Sequence, residues 1–303
     1  PDTMVGEDTI RQTIAFMDSH ERAGALGVKM LNTDGSVAKE SRRGIPSPAT
    51  AFYKMCGLCE RFPANRTFAH YYMSYLPWNE ASKIEIVSGA FCLLRKSTLE
   101  EVGLLDEDFF MYGEDIDLSY RIHNKGWDVW YYPSEILHYK GESTQKTSFR
   151  YVHVFYEAML IFFNKHYSYL SFLFSLPIQM AIYSKALSTL ISVKMSKFYS
   201  TFKNEKLKVT APISYICVVP MENRELCNKI ASANGIDPNY ITDLDDIEYN
   251  KLNETALTYI IYDVSAFAIQ QIFKSATSSA HPRVKMGFFN PLSRTIITEK
   301  NVF

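Results

Sequence analysis

Three carboxylates fall within four positions in "FFMYGEDIDLSYRIHNKGW", directly after an aromatic run and a glycine: Glu114, Asp115 and Asp117. The pattern predicts a helix from about 114 to 125, stopped by Gly126, with the acids in its first turn, where the helix dipole favours the carboxylate anion. An anionic carboxylate at such a place can take a proton from a hydroxyl it touches, which is the work of a general base. Asp117 lies one turn from Arg121 and reads as an ordinary surface ion pair. Glu114 and Asp115 differ, because "DEDFFMYG" is too aromatic for a solvated cap and Gly113 suggests a close backbone approach or a special dihedral. These two acids are expected to face a cleft. They do not suit glycoside hydrolysis, since adjacent acids on one helical turn diverge, whereas that reaction needs two carboxyls facing across the bond, roughly 5 to 10 Å apart.

Other residues could join them. His138 in "EILHYKGES" lies beyond a strand expected in "WDVWYYP", which Pro133 should close. Gly89 and Ala90 in "VSGAF" interrupt an apolar strand expected over 84–94, as a bulge or a ligand passing close to the backbone would require. Arg42 and Arg43, set before a proline turn, form either a solvated pair or a site for an anion such as phosphate. Cys56 and Cys59 make a lone CxxC without a second pair, so the five scattered cysteines read as structural thiols in a reducing compartment.

The elements that must position these groups follow from periodicity. Ile10, Ile14 and Met17 mark the inward face of a helix over 7–20, and Gly24 to Leu31 reads as a buried strand. Asp34-Gly35 marks a tight reversal. Residues 41–80, rich in proline, aromatics and basic residues, read as a loop-rich insertion with one short helix near 49–59. Ser97 with Glu100 reads as a capping box for a helix that Gly103 stops. The first 150 residues thus form α/β traffic. Residues 209–303 alternate strand and helix again, a small Rossmann-like α/β module whose "VVPMENRELC" lacks the glycines of a dinucleotide site.

Between these modules, residues 151–208 read as an aromatic and basic helical segment. Residues 167–184 contain no charged side chain, while Lys185, Lys194, Lys197, Lys203, Lys206 and Lys208 follow with only Glu205 opposing them. That sequence predicts an interfacial membrane anchor, with a buried interdomain helix pair or a true span as the alternatives. The net charge of −1 gives no basic excess for nucleic acid.

Taken together, "PDT", "LNTDGSV" with "RRGIP", "VSGAFCLLRK", "VGLLDEDFFMYGEDIDLSYRIHNKGW" and "HYKGEST" resemble, in this order, the GT-A-fold glycosyltransferases of family 2, especially a rhamnosyltransferase-like bacterial branch. The resemblance covers roughly residues 1–150. It implies an inverting transfer of a sugar from a dTDP- or UDP-sugar to a glycan or lipid-linked acceptor in surface-polysaccharide synthesis, at the cytoplasmic face of the inner membrane. It implies that Asp115, with Glu114 beside it, is the base, that Asp2 and His138 hold Mn²⁺ or Mg²⁺, and that Gly89 and Ala90 line the donor pocket, with Trp78 and Arg43 as further substrate contacts. Because the chain begins inside the metal motif, the resemblance also implies that the strands binding the nucleotide base and ribose precede Pro1. A non-catalytic, transferase-like docking protein is the alternative expectation.

Overall fold

The computed structural model describes residues 2–139, 149–167, 213–247, 249 and 256–303. Its first module is a mixed sheet flanked by helices. Strand β1 (Thr3–Val5), helix α1 (Thr9–Ser19) and strand β2 (Ala23–Leu31) come first. Helices α2 (Pro48–Met55) and α3 (Leu58–Arg61), strands β3 (Ser82–Ile84) and β4 (Leu93–Leu94), and helix α4 (Lys96–Val102) follow. Helix α5 (Glu114–Asn124), strand β5 (Asp128–His138) and helix α6 (Phe149–His166) complete the module. The sheet order is β1-β5-β2-β4, with β3 also on β5. β2 is buried along its whole length and runs parallel to β5, as its unbroken small and apolar residues require.

β5 is the organising strand, and it does not stop at Pro133. Proline lacks an amide to donate, so the ladder between β2 and β5 shifts register between Val28 and Lys29, and the strand continues to His138. One edge of β5 therefore takes β3 before the irregularity, at Val129 to Tyr131, and β1 after it, at Ile136 to His138. His138 ends a strand instead of lying in a loop.

Helix α1 forms where expected, but of Ile10, Ile14 and Met17 only Met17 faces inward. Ile10 and Ile14 are 57 % and 45 % exposed, while Thr9, Thr13 and Met17 are buried. The reason is polar: Thr9 Oγ1 lies 2.8 Å from Ser134 Oγ at the irregularity in β5, and Thr13 Oγ1 donates to the Thr9 carbonyl at 2.8 Å. A threonine face can satisfy the polar groups at that irregularity; an isoleucine face cannot.

Two further expectations fail locally. No single strand runs over 84–94, because α5 takes the amides its ladder would use: Val87 N donates to Ser119 Oγ at 3.2 Å and Gly89 N to Asp115 Oδ2 at 3.1 Å. Nor does Ser97 cap α4. The helix starts at Lys96, so Ser97 lies inside it, and no side chain caps its N-terminus. Arg95 instead fixes the entry, donating to the carbonyls of Ala23, Met17 and His20.

The second module has the order β10-β9-β8-β6-β7, where β6 is Ile213–Val218, β7 Asn239–Ile241, β8 Leu257–Asp263, β9 Val284–Asn290 and β10 Thr295–Ile297. All pairs are parallel except β9 with β10. Helix α7 (Met221–Ala233) packs on one face. Helix α8 (Ile269–Ser278) lies on the other, in one core with Leu31, Leu137 and Tyr139 of the first module.

Candidate active site

Asp2 and His138 meet through strand pairing. Thr3 is registered against His138, and Tyr139 N donates to the Asp2 carbonyl at 2.8 Å. The side chains consequently converge: Asp2 Oδ2 lies 3.3 Å from His138 Nε2, with 41 % and 23 % exposure respectively. An aspartate oxygen and an imidazole nitrogen facing solvent from neighbouring strand ends suit a hard divalent cation, whose remaining positions diphosphate oxygens could fill. Among the described residues no group of three or more His, Cys, Asp or Glu converges.

Asp115 stands at the start of α5. That start is forced: Gly113 precedes it at φ +92°, with the Phe109 ring so close that a Cβ would sit 2.8 Å from it, and Tyr112 is also left-handed at φ +67°. A short link over residues 125–127 makes α5 antiparallel to β5, which turns the helix start toward the side of the sheet where β5 ends. The Asp115 carboxylate then receives two donors on Oδ2, Arg43 Nη2 at 2.5 Å and the Gly89 amide at 3.1 Å. Arg43 also donates to the Val87 carbonyl at 2.8 Å. Cys92 is nearby; burial first, then the Asp115 charge, push its thiol up to about 12, so it remains a neutral thiol.

Glu114 departs from the low-pKa acid expected of a helix start. Burial, with the Asp115 charge adding to it, raises its carboxyl above the ordinary range, and its Oε2 is buried without a hydrogen-bond partner. Desolvation outweighs the helix dipole here. Gly89 lies against both acids: a Cβ on it would sit 3.8 Å from Asp115 Cβ and 3.9 Å from Glu114 Oε1. Ala90 follows it in the turn closed by Phe91 N donating to Ser88 O at 3.2 Å.

The two arginines separate. Arg43 joins Asp115, whereas Arg42 is fully buried and so is neither a solvated partner of Arg43 nor open to an anion. Its guanidinium lies 3.6 Å from the centre of the Trp78 ring and donates to the carbonyls of Leu76 and Pro77 at 2.8 Å each. Burial lowers its pKa to about 10. Trp78 is thus placed on Arg42 and, edge to face, on Tyr131, instead of on the carboxylates.

Asp117 is not on the helix exterior. It is fully buried, and besides Arg121 it meets Lys165 and His166 of α6. Nothing in the spacing of α5 signals partners more than forty positions downstream; the buried side of that helix is set by α6, whose Ala158, Phe162 and Phe163 share a core with Ile86, Phe109 and Ile116. The expected boundary at 150 falls inside α6, and the rest of the segment expected at a membrane, from residue 168 to 208, lies outside the described residues. Among the described residues no helix is long and apolar enough to cross a membrane.

Residues 1–153, half of the chain, match the family described as glycosyltransferase-like family 2, and the chain belongs to that family. It is similar to the N-acetylglucosaminyl-diphospho-decaprenol L-rhamnosyltransferase of Mycobacterium tuberculosis, with 31 % identity over 169 residues, covering 55 % of this chain and 54 % of that protein. It is also similar to the low-salt glycan biosynthesis hexosyltransferase Agl10 of Haloferax volcanii, with 23 % identity over 129 residues, covering 43 % of this chain and 36 % of that protein. The chain spans about half the length of the rhamnosyltransferases it matches. No solved structure matches it significantly.

Proposed function

We propose that the protein transfers a hexose or deoxyhexose, with inversion, from a dTDP- or UDP-sugar to a hydroxyl of a glycan or lipid-linked acceptor in cell-surface polysaccharide synthesis. The observation that carries this reading is the Asp115 carboxylate, fixed at the start of α5 against the Gly89 backbone. Its described hydrogen bonds fall on Oδ2, so Oδ1 is the atom for the acceptor proton, while Arg43 and the Gly89 amide keep the carboxylate aimed. Gly89 and Ala90 give the donor sugar backbone to pass along, and Arg43 lines the same place.

Asp2 and His138 would hold a divalent cation, Mn²⁺ or Mg²⁺, which when bound supplies positive charge to the departing diphosphate. His138 needs its imidazole neutral for that role, and the pairing of β1 with β5 orients the ring. The lysines between 185 and 208 support a place for the protein at the cytoplasmic face of the membrane, where a lipid-linked acceptor is found.

The test uses the full-length protein. Asp115→Asn is expected to lower transfer about 10²–10⁴-fold while titration calorimetry still finds donor binding in Mn²⁺. Undiminished transfer removes Asp115 as the base. A wild-type protein that binds neither dTDP- nor UDP-sugars with the metal is instead a docking protein built on a transferase fold.

A further inference from the structure

The side of α5 turned away from Asp115 is held by an ionic cluster around the buried Asp117 that transfer chemistry does not use. The two Asp117 oxygens meet three donors: Arg121 Nε at 2.8 Å on Oδ2, and Lys165 Nζ at 2.9 Å and His166 Nε2 at 2.7 Å on Oδ1. Two of these donors reach further. Arg121 also donates to the carbonyls of Val102 at 2.5 Å and Leu104 at 2.7 Å, and Lys165 also pairs with Asp106. The imidazole of His166 is walled by Tyr120 and Phe162, with ring centres 4.4 and 4.9 Å away. One carboxylate therefore joins α5, the loop after α4, and the end of α6.

Residues two apart on a helix point about 200° from one another. Asp115 reaches Arg43 and Gly89 on one side, and Asp117 reaches α6 on the other. Pins on opposite sides of a helix stop it from turning about its own axis. A turn of about 10° would carry a carboxylate held roughly 6 Å from that axis through about 1 Å. A misplacement of that size can lower a rate about 10²-fold.

We propose that Lys165 and His166 are positioning residues for Asp115: acting through Asp117, they fix the rotation of α5 and so the direction of the carboxylate. The working transferase unit then extends to the end of α6, past the stretch of residues 1–153 that the family match covers. This rests on the reading of Asp115 as the base.

The test compares His166→Leu, which removes the donor, with His166→Gln, whose amide can replace Nε2, in the full-length protein. Nucleoside diphosphate release from dTDP-rhamnose and UDP-glucose gives kcat and KM, and hydrogen exchange over residues 113–117 reports the helix start. The leucine variant is expected to lose at least about tenfold in kcat, with donor KM within about twofold, and to exchange faster over 113–117. The glutamine variant should recover both. Equal loss in the two variants, or a parallel loss of kcat and donor binding with lowered thermal stability, would show a merely structural contact. If the wild-type protein turns over neither donor, the transferase reading fails on its own, and the exchange arm decides: unchanged exchange in the leucine variant overturns the proposal, and faster exchange reversed by glutamine upholds the coupling of α6 to the helix start.

Discussion

At Gly89 the protein leaves room that its own packing does not use. Its backbone is outside the left-handed region, and a Cβ there would meet nothing closer than 3.8 Å. Gly89→Ala is therefore expected to change stability by less than about 1 kcal/mol. Its methyl would enter the space beside both acids, so the donor KM should rise about tenfold, a difference of about 1.4 kcal/mol, read from thermal melts and steady-state rates side by side. Glu114 is the opposite kind of residue, with one carboxyl oxygen, Oε2, buried without a partner. Because its folded pKa lies above the ordinary 4.5, mainly through burial, the folded state holds this proton more tightly than the unfolded chain. Its contribution is thus present at low pH and is lost as pH rises through the raised value. Glu114→Gln removes that loss, so the variant should melt higher than wild type near neutral pH, with the advantage shrinking as pH falls below the ordinary carboxylate range. An advantage that persists unchanged in acid would contradict the account.

At the scale of elements, α5 depends on the residue just before it. Gly113 combines φ +92° with the Phe109 ring, so Gly113→Ala should cost about 1–3 kcal/mol and lower the unfolding midpoint measured by circular dichroism. This helix was legible in the sequence because three acids crowd its first turn and Gly126 ends it. Asp2, His138 and Asp115 were singled out through the family motifs, and the fold sets the first pair 3.3 Å apart and the third in the first turn of α5. The inner face of α1 was not legible, because hydrophobicity ranks Ile10 and Ile14 above the threonines and carries no sign of the irregular β5 that the threonines satisfy. The course of β5 was hidden by Pro133, which stops most strands but here only shifts the ladder. The 84–94 stretch looked like a strand because its composition is that of one; its amides are claimed by Ser119 and Asp115, partners that only the fold brings near.

At the scale of the whole molecule, the turn after β2 is the joint between the modules. Met286 N donates to Thr33 O at 2.7 Å, His281 N to Asp34 O at 3.3 Å, and Lys285 pairs with Asp34 at 3.5 Å. From the other end of the interface, Glu7 receives the Ile269 amide at 2.5 Å and the Gln270 amide at 3.3 Å, capping α8 from a different module. Gly35 fits because it has no side chain: at φ +78° a Cβ would sit 2.4 Å from the Ala276 carbonyl oxygen. Gly35→Ala should cost about 1–3 kcal/mol and speed hydrogen exchange in α8 before it affects β2. Unchanged exchange in α8 would mean that the joint does not depend on this turn.

The Thr33 bond has a further effect. β10 is registered only against residues 288–290 of β9, so beside Met286 the strand is left to a carbonyl from the other module. Cut loose, the second module would present an open sheet edge next to the apolar residues Ile269, Ile272 and Phe273, and an open edge recruits any strand it meets. In the folded chain the first module thus covers an edge that would otherwise be open to a strand from a neighbouring molecule.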